Sequence, residues 1–205
     1  MSAPGPLPPA LLRRRRAQLV ALATLFLGPV ALAFLLYYGG HFSPAGRLNS
    51  GTLVDPPRPL PAVAAATPGG ARLGADFLRH KWSLVVLGHD GCTAPCQQAL
   101  ASTLAAERAL AHDSLRLQRV LLVAAPCCEA AGRAAEASLV IAALEGAEGR
   151  RLLEAFTGAA APGAAPGRIY LVDPLGNLMM SYPPGTQPRP LAQDLERLLR
   201  LSRIG

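Results

Sequence analysis

Four cysteines, arranged in two close pairs, are the residues of this chain whose types and spacing suit chemistry. Cys92 and Cys96 form a Cys-x-x-x-Cys pair with Pro95 inside it, and Cys127 and Cys128 are adjacent. Four cysteines in 205 residues are too few for a disulfide scaffold, whereas close pairing is typical of redox or metal-binding sites. A thiolate attacks disulfides, and it also binds soft metal ions such as Cu(I).

The first pair lies between a predicted strand and a predicted helix. Residues 83–88 are apolar and β-branched, which is typical of a buried strand, and residues 95–111 have leucines at helical spacing with Pro95 in the first turn. The N–H groups and dipole at a helix start favour negative charge, so thiolate is expected there. Residues four apart face the same way with Cβ atoms about 5–6 Å apart. That separation suits a disulfide after modest adjustment, or a Cu(I) ion. The alternative is two small buried cysteines without a reaction.

The second pair follows another apolar segment, residues 119–125, which we predict to be a strand. Because the carboxyl ends of parallel strands meet at one edge of a sheet, Cys127 and Cys128 are candidates for a four-thiol cluster with the first pair. The alternative is that both are buried as small hydrophobic residues. His89, three residues before Cys92, is a further candidate copper ligand or proton acceptor, the alternative being an ordinary loop histidine.

The remaining elements predict an α/β fold. Further strands are expected at residues 138–142, 168–172 and 177–182, and helices at residues 149–156 and 190–201. The turn sequence Asp173-Pro174-Leu175-Gly176 joins two of these strands into a hairpin. The order β-α-β, α/β crossover, β-β-α is that of thioredoxin-like folds, with a central mixed sheet flanked by helices. We predict such a domain over residues 69–205.

The N-terminal part predicts a membrane anchor. Residues 17–38 contain no charge, and a helix of that length rises about 33 Å, enough for a hydrocarbon core of about 30 Å. The arginine run 13–16 is expected to stay cytoplasmic, which makes residues 1–16 a cytoplasmic tail. The domain would then be periplasmic on a single-pass inner-membrane protein. Residues 39–68, rich in proline and glycine, are predicted to be a linker. The alternative, a cleaved signal peptide, fits less well because its apolar region would be shorter.

The charge does not indicate nucleic-acid binding. The formal net charge is +7, and four of these charges belong to the arginine run 13–16. Nucleic-acid binders typically combine a basic surface with aromatic side chains, and only 5% of the residues are aromatic. We therefore expect no nucleic-acid partner.

Three segments together resemble the Sco/SenC family. They are Ala75-Asp76-Phe77-Leu78-Arg79-His80-Lys81-Trp82, the Cys-x-x-x-Cys site, and Tyr170-Leu171-Val172-Asp173-Pro174. These proteins are membrane-anchored, have a thioredoxin fold and help deliver copper to cytochrome c oxidase; the chain is similar to a small bacterial transmembrane branch. The resemblance implies Cu(I) as the metal, with Cys92 and Cys96 as ligands. It also implies an oxidase subunit or a copper-transfer protein as the partner at the outer face of the membrane, and the lipid bilayer around residues 17–38.

The chain departs from the family at one position. Copper-binding members have a histidine five residues before the tyrosine that matches Tyr170, and here that position is Ala165. No histidine follows His112, so the usual third ligand is absent. Two thiolates can still hold Cu(I), and His89, Cys127 or Cys128 could take the place of the third ligand, whereas Cu(II) favours nitrogen donors. The sequence leaves open whether the chain is an enzyme. The roles it allows are Cu(I) delivery, thiol–disulfide exchange on the copper-ligand cysteines of the oxidase, or a non-catalytic assembly scaffold.

Overall fold

The chain forms two compact units, one before residue 48 and one from Leu48 to Gly205. A computed structural model describes residues 9–39, 49–88, 93–123, 138–157 and 165–205. The candidates His89, Cys92, Cys127 and Cys128 lie outside these ranges.

The described part of the first unit is one helix, α1 (Pro9–Tyr38). Its segment Arg13–Leu36 is long and apolar enough to cross a membrane, with a mean hydropathy of 2.5. The helix ends at Tyr38, as predicted, but begins eight residues before the predicted segment 17–38. Arginine is a good helix former, so the helix continues through the arginine run. This helix is the candidate membrane anchor.

The second unit is built on one eight-stranded mixed sheet. Its strands are β1 (Thr52–Pro59), β2 (Ala65–Ala66), β3 (Arg72–Leu73), β4 (Trp82–Gly88), β5 (Leu117–Val123), β6 (Leu139–Ala143), β7 (Ile169–Val172) and β8 (Asn177–Tyr182). They lie in the order β1-β8-β7-β4-β5-β6-β2-β3. Strands β4, β5 and β6 are parallel, and the other neighbours are antiparallel.

Helices cover both faces of this sheet. They are α2 (Ala94–Ala109), a 3₁₀ helix (Ala111–Arg116), α3 (Gly146–Thr157) and α4 (Pro188–Leu201). Helices α2 and α4 contribute to the core on one face, and α3 contributes on the other. The central strands β4 and β7 are buried along their whole length because both faces are covered. The predicted α/β fold, a central mixed sheet flanked by helices, is confirmed.

Two predicted supersecondary units are present. Strands β4 and β5 pair in parallel from Trp82 with Leu117 to Gly88 with Val123, and α2 connects them. Strands β7 and β8 form the expected hairpin. In its turn the Asp173 carboxylate accepts the backbone N–H groups of Leu175 and Asn177 at 2.9 and 2.8 Å. These units depend on local pattern, which explains why the sequence indicated them.

The prediction that residues 39–68 form a linker is wrong for the second half of this range. Residues 52–59 form β1, which pairs antiparallel with β8, and Leu60 and Val63 are buried in the core. The folded unit therefore begins at Leu48 rather than at residue 69. The prolines of β1 resemble a spacer, but they lie on an edge strand, where one side of the backbone needs no partner.

Candidate functional site

Cys96 lies in the first turn of α2, and its side chain is buried against the sheet. It is 2% exposed and belongs to the core cluster that includes Val86, Ala99 and Ile169. Cys96 therefore lies where it was predicted, at the start of the helix that follows the central strand. Its partner in the motif, Cys92, lies outside the described residues.

The segments that carry the other candidates leave the sheet side by side. Gly88 ends β4 just before His89, and Val123 ends β5 four residues before Cys127. Gly88 and Val123 are register partners, and a Cβ on Gly88 would lie 3.2 Å from the Val123 side chain. Both segments thus start from one edge of the sheet, which we call the carboxyl edge because β4 and β5 end there. The four-thiol cluster remains a prediction.

At the start of α2, the N-cap residue Thr93 provides no side-chain cap. Thr93 is extended, with φ −64° and ψ 155°, and its hydroxyl makes no capping hydrogen bond. The Thr93 carbonyl accepts the Gln97 N–H at 3.0 Å, which begins the helical hydrogen-bond ladder. The Thr93 side chain therefore does not offset the positive end of the helix dipole, which favours a thiolate near it.

A loop from Ala165 to Arg168 packs against this helix start. It is closed by the Arg168 N–H, which donates to the Ala165 carbonyl at 3.1 Å. Gly167 has φ +80°, and a Cβ there would lie 2.6 Å from the carbonyl oxygen of Pro95. Only glycine fits such a position. Ala165, where a histidine was expected by resemblance, therefore belongs to a loop that touches the helix of Cys96.

Sequence reasoning did not identify this loop as part of the site. The signal was the dipeptide Pro166-Gly167 directly before an apolar strand, a combination that marks a turn. It gave no indication of which element the turn would contact.

A buried ion pair holds the far half of α2 to the sheet. Arg119 Nε of β5 donates to Glu107 Oε2 of α2 at 2.8 Å, and the two side chains are only 4% and 11% exposed. The Ser138 hydroxyl, just before β6, donates to the same carboxylate oxygen at 2.9 Å and accepts from Arg119 Nη2 at 3.0 Å. The helix that carries Cys96 is thus tied to two strands.

The residues just before β1 are held to helix α4. The buried Asp194 Oδ2 of α4 accepts the backbone N–H groups of Ser50 and Gly51 at 2.8 and 3.1 Å. Burial, and then the neighbouring Asp194, raise the pKa of Tyr182. Burial likewise raises the pKa of Tyr170. Both phenols are therefore kept neutral and are poor candidates for acid–base chemistry.

Within the described ranges, no three His, Cys, Asp or Glu side chains are grouped to hold a metal ion. Cys96 is the described member of the predicted ligand set, and the methyl group of Ala165 supplies no donor atom. A metal site made from the predicted cysteines would offer mainly sulfur donors, which suit Cu(I) better than Cu(II), an ion that prefers nitrogen ligands in tetragonal geometry.

The mixed sheet, the helices on both faces and a cysteine at the start of the helix after the central strand define a thioredoxin-like protein. More narrowly, the chain belongs to the family of transmembrane-like, thioredoxin-like C-terminal domains, whose model matches residues 82–202. Among curated proteins, none matches the sequence.

Solved structures with the same fold include Sco proteins. Apo Sco1 from Thermus thermophilus is 19% identical with a TM-score of 0.60, over 75% of this chain and 99% of that one. Yeast Sco1 with copper bound is 13% identical with a TM-score of 0.57, over 71% and 91%. A thiol:disulfide interchange protein from Bacteroides sp. is 17% identical with a TM-score of 0.52, over 72% and 91%. The resemblance to Sco proteins is confirmed for the fold.

Proposed function

We propose that this chain is a membrane-anchored, Sco-like protein that binds Cu(I) on Cys92 and Cys96 and delivers it during cytochrome c oxidase assembly. The observation that supports this most is the position of Cys96 in the first turn of α2, whose N-cap residue Thr93 makes no side-chain capping hydrogen bond. Helix α1 would anchor the chain in the inner membrane, with the arginine run 13–16 in the cytoplasm and the domain in the periplasm. The recipient would be an oxidase subunit or a copper-transfer protein at the outer face.

Copper is the cargo in this proposal, and the helix start favours the charge that holds it. Two thiolates and one Cu(I) ion have a net charge of −1, which the N–H groups and dipole at the start of α2 stabilise. Delivery is a ligand exchange, in which a thiolate of the recipient binds the ion as one cysteine leaves. Because Cys96 is buried, the exchange begins at Cys92 and Cys96 is released last.

The test is a titration of the full chain in detergent with Cu(I) against a competing chelator. We expect one tight site that Cys92→Ser and Cys96→Ser each abolish, and the Cys127→Ser/Cys128→Ser double variant then tests whether the second pair adds a ligand. Ser102→Ala, on α2 but outside the candidate ligand set, is the matched control. A wild-type chain that does not compete with the chelator would refute Cu(I) delivery. Ala165→His is expected to increase retention of Cu(II), because it adds a nitrogen donor on the loop beside the helix start.

A second candidate is thiol–disulfide exchange on the copper-ligand cysteines of the oxidase. The Cys92 thiolate would attack a disulfide of the partner, forming a mixed disulfide and releasing one partner thiolate. Cys96 would then attack the Cys92 sulfur, which releases the second partner thiol and leaves a Cys92–Cys96 disulfide for an external dithiol to reduce. Two observations favour this role: Cys96 is shielded as a resolving thiol, and Ala165 removes a metal ligand.

Two experiments distinguish these functions: trapping of a mixed disulfide, and exchange of the wild-type disulfide with glutathione. In exchange chemistry, Cys96→Ser traps the mixed disulfide with a model substrate, whereas Cys92→Ser does not. The disulfide of the wild-type pair should also equilibrate with a glutathione buffer. A pair that is inert to glutathione argues against the oxidoreductase. If the Cys92→Ser/Cys96→Ser chain still supports oxidase assembly in cells that fail without the protein, the scaffold role is correct instead.

A further inference from the structure

Exposed apolar side chains are concentrated at one end of the second unit. In the described part of this unit, five large apolar side chains are conspicuously exposed: Leu53, Leu115, Leu175, Leu201 and Ile204. All except Leu53 lie on segments at the end of the sheet where β4 and β5 begin, which we call the amino edge. These segments are the 3₁₀ helix, the β7–β8 turn, and the last residues of α4 with the tail after it.

Hydrogen bonds bring these segments together. The Arg116 guanidinium donates to the carbonyls of Leu199, Ser202, Ile204 and Gly205, at 2.9 to 3.0 Å. This ties the 3₁₀ helix to the C-terminal tail.

The tail in turn reaches the β7–β8 turn. A Cβ on Gly205 would lie 2.9 Å from Pro174 and 3.1 Å from the Trp82 ring, so the tail covers both. The His80 N–H donates to the Pro174 carbonyl at 2.9 Å. The exposed apolar residues of the amino edge are thus parts of one surface.

Basic side chains surround this surface. Arg79, Lys81, Arg200 and Arg203 are exposed there, against the exposed acids Asp76 and Asp113. Arg79 lies over the β7–β8 turn, since a Cβ on Gly176 would be 3.2 Å from its Nε.

A cavity of about 700 Å³ opens beside this surface. Arg116, Arg197 and Arg200 line it, with Asp113 and Glu196 as the acidic members. The Arg116 guanidinium is already bonded to the tail carbonyls. The surface thus combines separate leucines with the exposed basic groups of Arg79, Lys81, Arg200 and Arg203.

We propose that the amino edge docks on anionic lipid headgroups. Leucine side chains enter the interface between headgroups and acyl chains, and guanidinium groups meet lipid phosphates, so each part of this surface has a partner in a bilayer. The inference rests on the proposed membrane anchoring by α1 and on neither copper nor thiol chemistry. Residues 39–49 can span at most about 40 Å when extended. The sheet is about 20 Å long in the strand direction, judged from the seven residues of β4. The linker is therefore long enough to pass the sheet and allow this contact.

The docked state leaves the candidate site accessible. Helix α2 begins at the carboxyl edge and ends near the 3₁₀ helix at the amino edge. A domain held to lipid by its amino edge therefore presents the start of α2 to its partners.

The chain contains its own probe for this test. Trp82 is the only tryptophan, it begins β4 at the amino edge, and it is covered by Gly205. The full chain is reconstituted in zwitterionic vesicles and in vesicles with phosphatidylglycerol, with and without lipids brominated near the headgroup. We expect bromine to quench Trp82 in the anionic vesicles, and quenching to fall as salt is raised. Flotation with the vesicles reports the anchor separately.

Matched variants distinguish docking from chance proximity. Arg200→Gln with Arg203→Gln is expected to lower the docking constant about 25-fold, since each arginine near an anionic surface contributes a factor of about five. Leu175→Ser with Leu201→Ser should also remove quenching. The controls Leu53→Ser and Arg150→Gln/Arg151→Gln, on β1 and α3, should leave it unchanged. The proposal is overturned if the amino-edge variants are quenched as strongly as the wild type. It is also overturned if a chain that floats with the vesicles shows no quenching, or if quenching grows with protein density, as expected for self-association.

Discussion

The buried pair of Glu107 and Arg119 is expected to contribute strongly to the stability of the domain. Their side chains are 11% and 4% exposed, and they meet at 2.8 Å between α2 and β5. In Glu107→Ala the guanidinium still donates to the Ser138 hydroxyl at 3.0 Å and to the Leu100 carbonyl at 3.5 Å, both neutral acceptors. The substitution removes the carboxylate that meets the charge of Arg119 inside the domain.

Loss of one member of a buried pair costs about 3–5 kcal/mol. A domain of this size has a total unfolding free energy of about 5–15 kcal/mol, so Glu107→Ala should remove about a fifth of it or more. The double variant Glu107→Leu/Arg119→Met removes both charges and retains apolar volume, so it should stay within about 1 kcal/mol of the wild type. Glu154→Ala, an exposed glutamate on α3, should change stability by no more than about 0.5 kcal/mol.

The measurement is urea unfolding of residues 48–205, followed by the fluorescence of the single Trp82. Reactivity of the Cys96 thiol in a background in which Cys92, Cys127 and Cys128 are replaced by serine adds a local readout, because α2 carries this residue. We expect faster labelling in Glu107→Ala than in the double variant. A loss below about 1 kcal/mol for Glu107→Ala, or a double variant as unstable as the single one, would refute this account of how α2 is held.

Three further outcomes are expected. Gly167→Ala should lower stability by at least about 1–2 kcal/mol from the left-handed backbone alone, and its Cβ should displace Pro95, visible as changed amide shifts at the start of α2. Asp194→Ala should cost about 2–3 kcal/mol and speed hydrogen exchange at Gly51, whose N–H loses its acceptor, while exchange in β4 stays slow. Burial raises the folded-state pKa of Tyr182 above 10.0, so its contribution to stability should be constant below that pH and be lost above it, by up to about 1.4 kcal/mol per pH unit. In unfolding measured from pH 9 to 11, Tyr182→Phe should therefore make the fall less steep, while the part due to Tyr170 remains.

The candidate site was only partly accessible to sequence reasoning. The position of Cys96 followed from an apolar strand, a helix with Pro95 in its first turn, and four-residue spacing, all of which are local signals. The contact of Gly167 with Pro95 joins residues more than seventy positions apart. Turn chemistry indicated that a turn was present but did not indicate which helix it would meet.

The same division holds for the fold. Hydrophobic periodicity and the Asp173 turn were enough to predict strands β4 to β8 and the helices between them, since burial on one or both sides imposes its period on the residues. Strand β1 could not be predicted from the sequence, because its prolines are acceptable only on an edge strand, a position that pairing with β8 provides. The pattern of apolar residues in a segment shows which of its faces pack against the core. Which distant segments become neighbours, such as Glu107 with Arg119 or Asp194 with Ser50, follows from packing the whole chain, because these charged and polar groups are stable inside only when brought to each other.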